Sequence, residues 1–346
     1  MLPENILFSS DPSADLNHFI SSRQYSMITV LVDENTRKNC LPVIEKQLPD
    51  HELIIIPSGE EYKNISTCIS IWQKMTDLTM DRHSLMIILG GGVLGDMGGF
   101  CASTYKRGID FILVPTTLLA QVDASIGGKL GIDFSSYKNH IGVFQLPALT
   151  LLFSGFLKTL PARELRSGFA EVIKHVLISD SEMWARLSAK RISEQEWEPL
   201  VLHSVQFKAQ VTTTDPKEKG LRKILNAGHT IGHALESHFI ALDHAISHGE
   251  AIAVGLIAES FIASKKGLLR EDELNSIKHY IRSVFDKVEL SEEKIEQISR
   301  LAIQDKKNRG NKILCVLLEG IGRARWDVEI SVDEIKESLL FYRDQT

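Results

Sequence analysis

The stretch SLMIILGGGVLGDMGGF, residues 84–100, decides the fold of the first half of the chain. It joins an apolar run of strand length to a glycine-rich turn and a probable helix. Gly90-x-Gly92-x-x-Gly95 directly follows the predicted strand, where glycines let the backbone approach a pyrophosphate at a helix N-terminus. The motif therefore predicts a dinucleotide site, although a packing turn of small residues would look the same. Asp110, the candidate for the ribose-binding acid, precedes the next strand, so a standard Rossmann unit is not expected.

Further apolar runs lie on both sides of this stretch and are separated by amphipathic segments such as ISTCISIWQKMTDL: MITVLVD (27–33), ELIIIPSG (52–59) and FILVPTT (111–117). Such runs predict a mainly parallel sheet that helices cover on both faces. Each run ends in residues suited to a ligand: Asp33, Ser58-Gly59-Glu60, Gly90-Gly91-Gly92 and Thr116-Thr117. Because ligands bind at the carboxyl ends of strands in open α/β sheets, we expect these ends to line one crevice.

The second half of the chain has a different pattern, which begins near Lys158 and consists mainly of long helical segments: RELRSGFAEVIKHVLI, VLHSVQFKAQVTTT, AIAVGLIAESFIASKKG, EDELNSIKHYIRSVF and SEEKIEQISRLAI. KILCVLL and ARWDVEI, joined by EGIGR, predict a hairpin within it. We therefore predict an α/β N-terminal domain with a mainly parallel, Rossmann-like sheet over residues 1–155, and a mainly α-helical C-terminal domain over residues 156–346. The active site is expected in the cleft between them.

Composition argues against several classes of protein. With 24% charged and 43% hydrophobic residues the chain is typical of a soluble globular protein, and its net charge of −6 argues against a nucleic-acid partner. No apolar run approaches membrane-spanning length, and MLPENILFSSDPSADL lacks the pattern of a signal peptide. The four cysteines have no CxxC spacing, so neither a disulfide framework nor a thiolate metal site is indicated, and we expect a cytoplasmic location.

A histidine-rich stretch, LNAGHTIGHALESHFIALDHAISHGE (225–250), contains the strongest candidates for metal ligands. His229 and His233 would share one face of a helix, and His248 follows a predicted loop. Two such histidines and a third from a later turn could make most of a zinc site, whereas the alternative is a histidine-rich helical surface. A site with two histidines and a carboxylate is equally open, and SGFAEVIKH offers Glu171. Lys174 lies on the same face as Glu171, so an exposed Glu/Lys pair is the alternative for that motif.

Basic residues near glycines or polar turns are candidates for binding a sugar phosphate: Arg107, Lys129, Lys138, Lys174, Lys208, Arg222 and the pair Lys306 and Lys307. Most lysines in proteins are merely solvated, so each alone carries little weight. Together they suit a phosphate and a carboxylate, with arginine favoured for bidentate recognition of an anion.

Several long motifs, read in order, closely resemble those of the 3-dehydroquinate synthase family of the sugar-phosphate cyclases: GGGVLGD, YKRGIDFILVPTTLLAQVDASIGGKLGID, KNHIGVF, SGFAEVIKH and GLRKILNAGHTIGHALE…HGEAIAVG. The likeness extends from the strand ending at Asp33 to the hairpin after DKK. It implies NAD and Zn²⁺ as cofactors, with Co²⁺ as an alternative metal. It also implies a homodimer that acts on a small sugar phosphate and has no nucleic-acid or membrane partner.

The resemblance also implies roles for individual residues. The metal ligands would be Glu171, His229 and His248, which leaves His233 for proton handling. The other catalytic residues would be Lys129, Lys174, Arg107 and Asn226. NAD would contact Asp33, Asn35, Glu60, Lys63, Gly91, Gly92, Asp96, Thr116 and Thr117. The substrate would also meet Asp123, Lys138, Asn139, Lys208, Arg222 and one of Lys306 or Lys307.

The reaction implied by the resemblance converts 3-deoxy-D-arabino-heptulosonate 7-phosphate to 3-dehydroquinate and phosphate, the second step of the shikimate pathway. It proceeds through transient NAD-dependent oxidation, phosphate elimination, reduction, ring opening and intramolecular aldol closure, so the enzyme is classed as a lyase. Two positions depart from the family pattern. Tyr137 replaces the usual glycine before the Lys-Asn pair, and Ala227 replaces a larger residue in NAGH. Neither change removes a reacting group.

Three alternatives stay open at the level of sequence. Cyclases that make deoxy-inosose or valiolone skeletons share the zinc and NAD apparatus and differ in the groups that read the substrate. A polyol dehydrogenase of related fold would consume NAD stoichiometrically. A binding protein without catalytic activity is the third alternative, although every proposed ligand and base is present in the sequence.

Overall fold

A computed structural model describes residues 2–135, 137–241, 246–302 and 312–344, so the predictions for Lys306 and Lys307 lie outside the described residues. The strands are β1 (Ile6–Phe8), β2 (Ile28–Asp33), β3 (Glu52–Ile56), β4 (Leu85–Gly90), β5 (Asp110–Pro115), β6 (Lys129–Phe134), β7 (Tyr137–Phe144), β8 (Leu149–Leu152), β9 (Ile313–Leu318) and β10 (Ala324–Ile330). The helices are α1 (Pro12–Ser21), α2 (Glu34–Asn39), α3 (Leu41–Ile44), α4 (Ile65–Asp77), α5 (Gly92–Thr104), α6 (Ala162–Ser179), α7 (Ser181–Ser188), α8 (Trp197–Thr214), α9 (His229–Ala241), α10 (His248–Lys265), α11 (Glu271–Val284), α12 (Glu292–Leu301) and α13 (Val332–Asp344).

The chain divides into two compact units. The first unit comprises residues 1–165 and 201–209, and the second comprises residues 166–200 and 210–346. Helix α8 therefore has its middle in the first unit and its ends in the second. The predicted domain division at residue 155 stays a prediction.

The first unit is built on a six-stranded sheet with the strand order β1-β8-β5-β4-β2-β3. Neighbouring strands of this sheet are parallel throughout. Strand residues alternate between two apolar cores: Leu31 and Ile88 pack with α4 and α5, whereas Val30 and Ile87 pack with α1 and α3. The predicted mainly parallel sheet, covered by helices on both faces, is confirmed.

The sequence did not predict the hairpin of β6 and β7 or the strands β1 and β8. In the antiparallel hairpin, Leu130 and Ile132 are buried in the core beside α5, while most of β7 is exposed. Leu130 and Ile132 alternate with Lys129, Gly131 and Asp133, which is the pattern of a strand with one apolar face, so this signal was readable in the sequence. Strands β1 and β8 are three and four residues long, which is too short for a clear periodicity.

The second unit is mainly helical, as predicted for this part of the chain, and its elements pack around α10. Helix α10 packs against α9, α11, α13 and β9. It is buried along most of its length, so it is apolar on nearly all sides and has little amphipathic pattern. Strands β9 and β10 pair antiparallel, which confirms the predicted hairpin. Among the described residues, the structure has no helix of sufficient length and apolar character to cross a membrane.

Candidate active site

Three helices of the second unit bring together a carboxylate and two imidazoles. Glu171 lies within α6, and His229 and His248 are the first residues of α9 and α10. The Glu171 Oε1 atom is 3.4 Å from His229 Nε2 and 3.2 Å from His248 Nε2. One ligand atom from each residue lies within 4.8 Å of the others. Two histidines and one carboxylate, with a fourth position left open, are typical of a catalytic zinc site, so these residues fit the implied metal.

The Nδ1 atoms of His229 and His248 both face oxygen atoms of the second unit. His229 Nδ1 lies 3.0 Å from the carbonyl oxygen of Ala227, and His248 Nδ1 lies 3.4 Å from Glu236 Oε2. A carbonyl only accepts hydrogen bonds, so we assign the His229 proton to Nδ1, which leaves the Nε2 lone pair directed at Glu171. Such outer partners fix the ring orientation and tautomer of metal-binding histidines.

Glu171 is charged although it is buried. Glu171 and Lys174 are each 1% exposed, and their side chains form an ion pair. The alternative of an exposed Glu/Lys pair is therefore wrong. Burial alone would raise the pKa of Glu171, but Lys174, His229 and His248 outweigh it and hold that pKa well below its usual range. Burial and the Lys174 cation lower the pKa of His229. Glu171 and His229 are therefore in the forms that bind metal. Burial alone would lower the pKa of His248, but the carboxylates of Glu171 and Glu236 outweigh it and raise that pKa to about 10, so metal binding there releases a proton.

His233 lies beside this cluster, one helical turn after His229. The centroids of the His229 and His233 rings are 5.1 Å apart, and the rings are nearly perpendicular. The role of His233 in proton handling stays a prediction. Its imidazole lies next to the His229 ring but is not one of the three clustered donors.

A second group of predicted residues meets at the carboxyl ends of the strands in the first unit. Strand β4 ends at Gly90, and Gly91 precedes the first residue of α5. Gly91, Gly92 and Asp96 line a small pocket together with Pro115 and Ala124. A Cβ atom on Gly91 would approach Thr117 Cγ2 to 3.0 Å. The first amides of α5 lack a side-chain cap, which is the arrangement that phosphate groups use at helix N-termini.

Lys63 links a residue that was predicted to contact NAD with one that was predicted to contact the substrate. Its Nζ atom lies 2.7 Å from Asp96 Oδ2, a predicted NAD contact, and 2.7 Å from Asn139 Oδ1, a predicted substrate contact. Lys63 is buried, which would lower its pKa, but Asp96 and other nearby carboxylates raise it above 10.5. Asp133 in turn accepts the Asn139 amide at 2.7 Å. The ammonium group therefore stays charged and holds the β6–β7 hairpin beside the start of α5.

Asp123 and Lys208 form another pair of predicted substrate residues within the first unit. Lys208 Nζ is 2.6 Å from Asp123 Oδ1 and donates to the Asp123 carbonyl at 2.7 Å. Asp123 lies in a π-helical turn, Ala120–Ala124, a type of turn that is frequent at functional sites. Lys208 is only 7% exposed, so the ammonium group of this pair is largely buried.

The predicted substrate residues Arg222 and Asn226 lie in a short 3₁₀ segment, Leu221–Asn226, directly before α9. Arg222 Nη1 donates to the carbonyl of Pro216 at 3.0 Å, and Asn226 Nδ2 donates to Glu218 Oε1 at 2.8 Å. The Asp215 carboxylate accepts the amides of Gly220 and Arg222. Sequence reasoning missed Asp215 and Glu218, since acidic residues in a polar turn carry no distinguishing spacing.

The remaining predicted residues have simpler surroundings. Asp33 caps α2 by accepting the Thr36 amide at 2.7 Å, and Asn35 Nδ2 donates to Ser58 Oγ at 3.0 Å, so the ends of β2 and β3 meet. Glu60 begins a short 3₁₀ turn, and Thr116 directly follows β5. Arg107 has a left-handed backbone (φ 70°). Lys129 and Lys138 are exposed on β6 and β7.

The sequence matches two family models that together span most of the chain. The model described as 3-dehydroquinate synthase N-terminal matches residues 53–167, and the model described as 3-dehydroquinate synthase C-terminal matches residues 168–308. These matches include the glycine-rich turn, Glu171 and the histidine stretch.

Two curated relatives are similar over more than nine tenths of their length. The 3-dehydroquinate synthase of Parabacteroides distasonis is 36% identical over 350 residues, which covers 99% of this chain and 99% of that protein. The 3-dehydroquinate synthase of Clostridium acetobutylicum is 38% identical and covers 93% of this chain and 91% of that protein.

Solved structures share the fold. The 2-epi-5-epi-valiolone synthase of Streptomyces hygroscopicus subsp. jinggangensis, with NAD⁺ and Zn²⁺ bound, aligns with a TM-score of 0.85 at 26% identity, covering 99% of this chain and 97% of that one. A 2-deoxy-scyllo-inosose synthase with carbaglucose-6-phosphate, NAD⁺ and Co²⁺ aligns with a TM-score of 0.83 at 24% identity, covering 99% of this chain and 96% of that one. The family models and the relatives agree with the motifs in the sequence, and the chain belongs to the 3-dehydroquinate synthase family.

Proposed function

We propose that the protein converts 3-deoxy-D-arabino-heptulosonate 7-phosphate to 3-dehydroquinate and phosphate, as a lyase of the shikimate pathway. The observation that carries this proposal is the cluster of Glu171, His229 and His248, with the buried Lys174 paired to Glu171, in a chain that belongs to this family. A cytoplasmic homodimer is part of the same proposal.

The proposed cofactors are NAD and a divalent metal, zinc or cobalt. The related cyclase structures hold NAD⁺ with Zn²⁺ or with Co²⁺, which supports this choice. Glu171, His229 and His248 would hold the metal, and the NAD contacts would be Asp33, Asn35, Glu60, Lys63, Gly91, Gly92, Asp96, Thr116 and Thr117. When bound, the metal lowers the pKa of a substrate hydroxyl and NAD accepts and returns a hydride.

The residues of the chain would supply binding and proton transfer. His233 is the proposed acid and base, since its imidazole lies beside the ligand ring of His229. Lys174 keeps Glu171 ionised by its ion pair, and its buried ammonium group adds positive charge near the ligand cluster. The other proposed contacts of the sugar phosphate are Arg107, Asp123, Lys129, Lys138, Asn139, Lys208, Arg222, Asn226 and one of Lys306 or Lys307. Holding the ring-opened chain in a closed site supports the final aldol closure.

The test is an assay of the purified protein with three phosphorylated substrates in the presence of NAD and zinc. We expect phosphate release from the heptulosonate phosphate, with 3-dehydroquinate as the product. Turnover of only sedoheptulose 7-phosphate or glucose 6-phosphate would contradict the proposal and favour the other cyclases.

The fate of NAD separates a synthase from a dehydrogenase of the same fold. In the proposed reaction the hydride returns to the substrate, so reduced NAD does not accumulate as product forms. Accumulation of NADH in step with product would contradict the synthase and identify a stoichiometric oxidation.

A further inference from the structure

Glu259 is a buried carboxylate in the most apolar helix of the second unit. It lies on α10, its residue is 3% exposed, and its neighbours along the helix are apolar or small. Its Oε2 atom accepts the Gly228 amide at 2.5 Å and its Oε1 atom accepts the Ile231 amide at 3.1 Å. Both amides lie at the start of α9. A carboxylate in such surroundings is costly unless its oxygens are hydrogen-bonded, and here both oxygens are.

These contacts satisfy a general need of helices. The first amides of a helix have no partner within the helix, and the N-terminus carries a partial positive charge. Glu259 supplies a negative charge and acceptors from another helix, whereas an ordinary cap comes from the residue just before the helix. The start of α9 is therefore fixed to α10 by an ionic group as well as by packing.

The segment that Glu259 holds is the one that presents His229. His229 lies between the two anchored amides, and the carbonyl of Ala227, which belongs to the same peptide group as the Gly228 amide, faces His229 Nδ1 at 3.0 Å. The peptide group that binds Glu259 on one side therefore orients the imidazole on the other. Gly228 has a left-handed backbone (φ 77°), and a Cβ on it would lie 2.8 Å from Leu256 Cγ of α10. The backbone rests directly on α10 at this point.

Helix α10 also begins with His248. This one helix therefore carries one of the three clustered residues and binds the backbone on both sides of another, His229. Glu259 lies eleven residues after His248, about 16 Å along the helix axis at 1.5 Å per residue, which is too far for direct contact. Any effect of Glu259 on the cluster therefore passes through the backbone of α9. We propose that Glu259 is a positioning residue of the metal site, which holds the Gly228–Ile231 backbone so that His229 Nε2 faces Glu171. This inference rests on the metal-dependent function proposed above.

The competing role for Glu259 is a helix cap that stabilises the fold without affecting the metal site. Asp180 provides a matched control in the same unit, because its carboxylate caps another helix, α7, by accepting the Met183 amide at 2.9 Å. We would compare the wild type with Glu259→Ala, Glu259→Gln and Asp180→Ala. Gln keeps the shape of Glu and one acceptor oxygen, but its amide nitrogen faces the second backbone N–H.

The measurements are the zinc dissociation constant of metal-stripped protein, by competition with a chelator, and the visible absorption spectrum of the cobalt-loaded protein. Thermal unfolding of the metal-free protein reports stability separately. Glu259→Ala should weaken zinc binding roughly 10- to 100-fold and alter the cobalt spectrum, as expected when a group supporting a ligand is lost. Glu259→Gln should fall between it and the wild type. Asp180→Ala should lower the unfolding temperature while leaving the zinc affinity and the cobalt spectrum unchanged.

Wild-type zinc affinity and an unchanged cobalt spectrum in Glu259→Ala would overturn the inference. Equal loss of zinc affinity in Asp180→Ala would overturn it too, since general destabilisation would then explain the effect. If Glu259→Ala does not fold, Glu259→Gln decides in the same way. A wild-type protein that binds neither zinc nor cobalt would instead contradict the proposed function, and the two failures are therefore distinguishable.

Discussion

The Gly249 amide donates a hydrogen bond to Ser167 Oγ at 3.1 Å and thereby joins the start of α10 to α6. Ser167 lies one helical turn before Glu171, and Gly249 directly follows His248. A Cβ on Gly249 would fall against the Ser167 backbone, 2.7 Å from its carbonyl carbon. The spacing between the Glu171 carboxylate and the His248 imidazole therefore depends on a contact that only glycine allows.

Gly249→Ala should push α10 away from α6, because the added methyl group meets backbone atoms and cannot be accommodated by a side-chain rotation. We expect a loss of about 1–3 kcal/mol in the free energy of unfolding, the usual cost of overpacking. We also expect zinc affinity to fall by roughly tenfold or more, measured by chelator competition. Ser167→Ala is the control, since it removes about 1 kcal/mol of hydrogen bonding and keeps the close approach. Wild-type zinc affinity in Gly249→Ala would show that this contact does not set the ligand spacing.

The roles proposed for two histidines of the same region differ and are separable by mutation. His248→Ala removes one of three clustered donors, so metal and activity should be lost together. His233→Ala leaves the cluster intact and should keep stoichiometric zinc, while kcat falls by roughly 10²- to 10⁴-fold, as expected for loss of a general acid or base. Zinc content by elemental analysis and steady-state kinetics measure the two effects. Equal loss of metal in both variants would refute the division of roles.

The sequence predicted the elements whose signals are local. The apolar runs of β2 and β4 are buried at every position, and such a continuous pattern is readable without a structure. The predicted helical segment begins at Ala251 after a predicted loop, whereas α10 begins at His248, where SHGE fits a capping box that the structure contains between Ser247 and Glu250. That signal was present in the sequence and was missed.

What could not be predicted depends on packing between distant segments. The distance between Glu171 Oε1 and His248 Nε2 is set by how α6 rests on α10, and no local pattern contains it. Glu259 is the single charged residue in the otherwise mainly apolar stretch AIAVGLIAESFIAS. The contacts on which its proposed positioning role rests become visible only when the amides of Gly228 and Ile231 are seen beside it. The family motifs identified the candidate ligands, but the groups that orient them come from tertiary contacts.

Lys63→Met should affect both stability and NAD binding, because it leaves Asp96 without the ammonium group and frees Asn139. Loss of a hydrogen bond to a charged group costs about 1.5–3 kcal/mol of unfolding free energy, measured by denaturant titration. Although burial opposes it, the pKa of Lys63 is raised above 10.5 by Asp96, so this stabilisation is present at neutral pH and lost as pH rises through that raised value. NAD affinity should fall with it.

Two variants check this interpretation of Lys63. Lys74→Met, at an exposed position of α4, should change neither stability nor NAD binding by a measurable amount. The double variant Lys63→Met, Asp96→Asn should recover part of the lost stability, since it removes the unpaired charge. A single Lys63→Met variant as stable as the wild type would mean that water replaces the ammonium group without cost.

Lys208→Met should impair substrate binding while leaving both cofactors in place. The Lys208 ammonium group is held by the carboxylate and the carbonyl of Asp123. If it also contacts the sugar phosphate, losing a charge-assisted hydrogen bond of about 1.5–3 kcal/mol raises KM by roughly 10- to 150-fold. Zinc content and NAD affinity should stay at wild-type values. Lys223→Met is the control, because Lys223 pairs with Asp327 at 2.6 Å near the surface, where such pairs contribute about 0–1 kcal/mol. An unchanged KM in Lys208→Met would restrict Lys208 to a structural role, in which case only the unfolding free energy should fall.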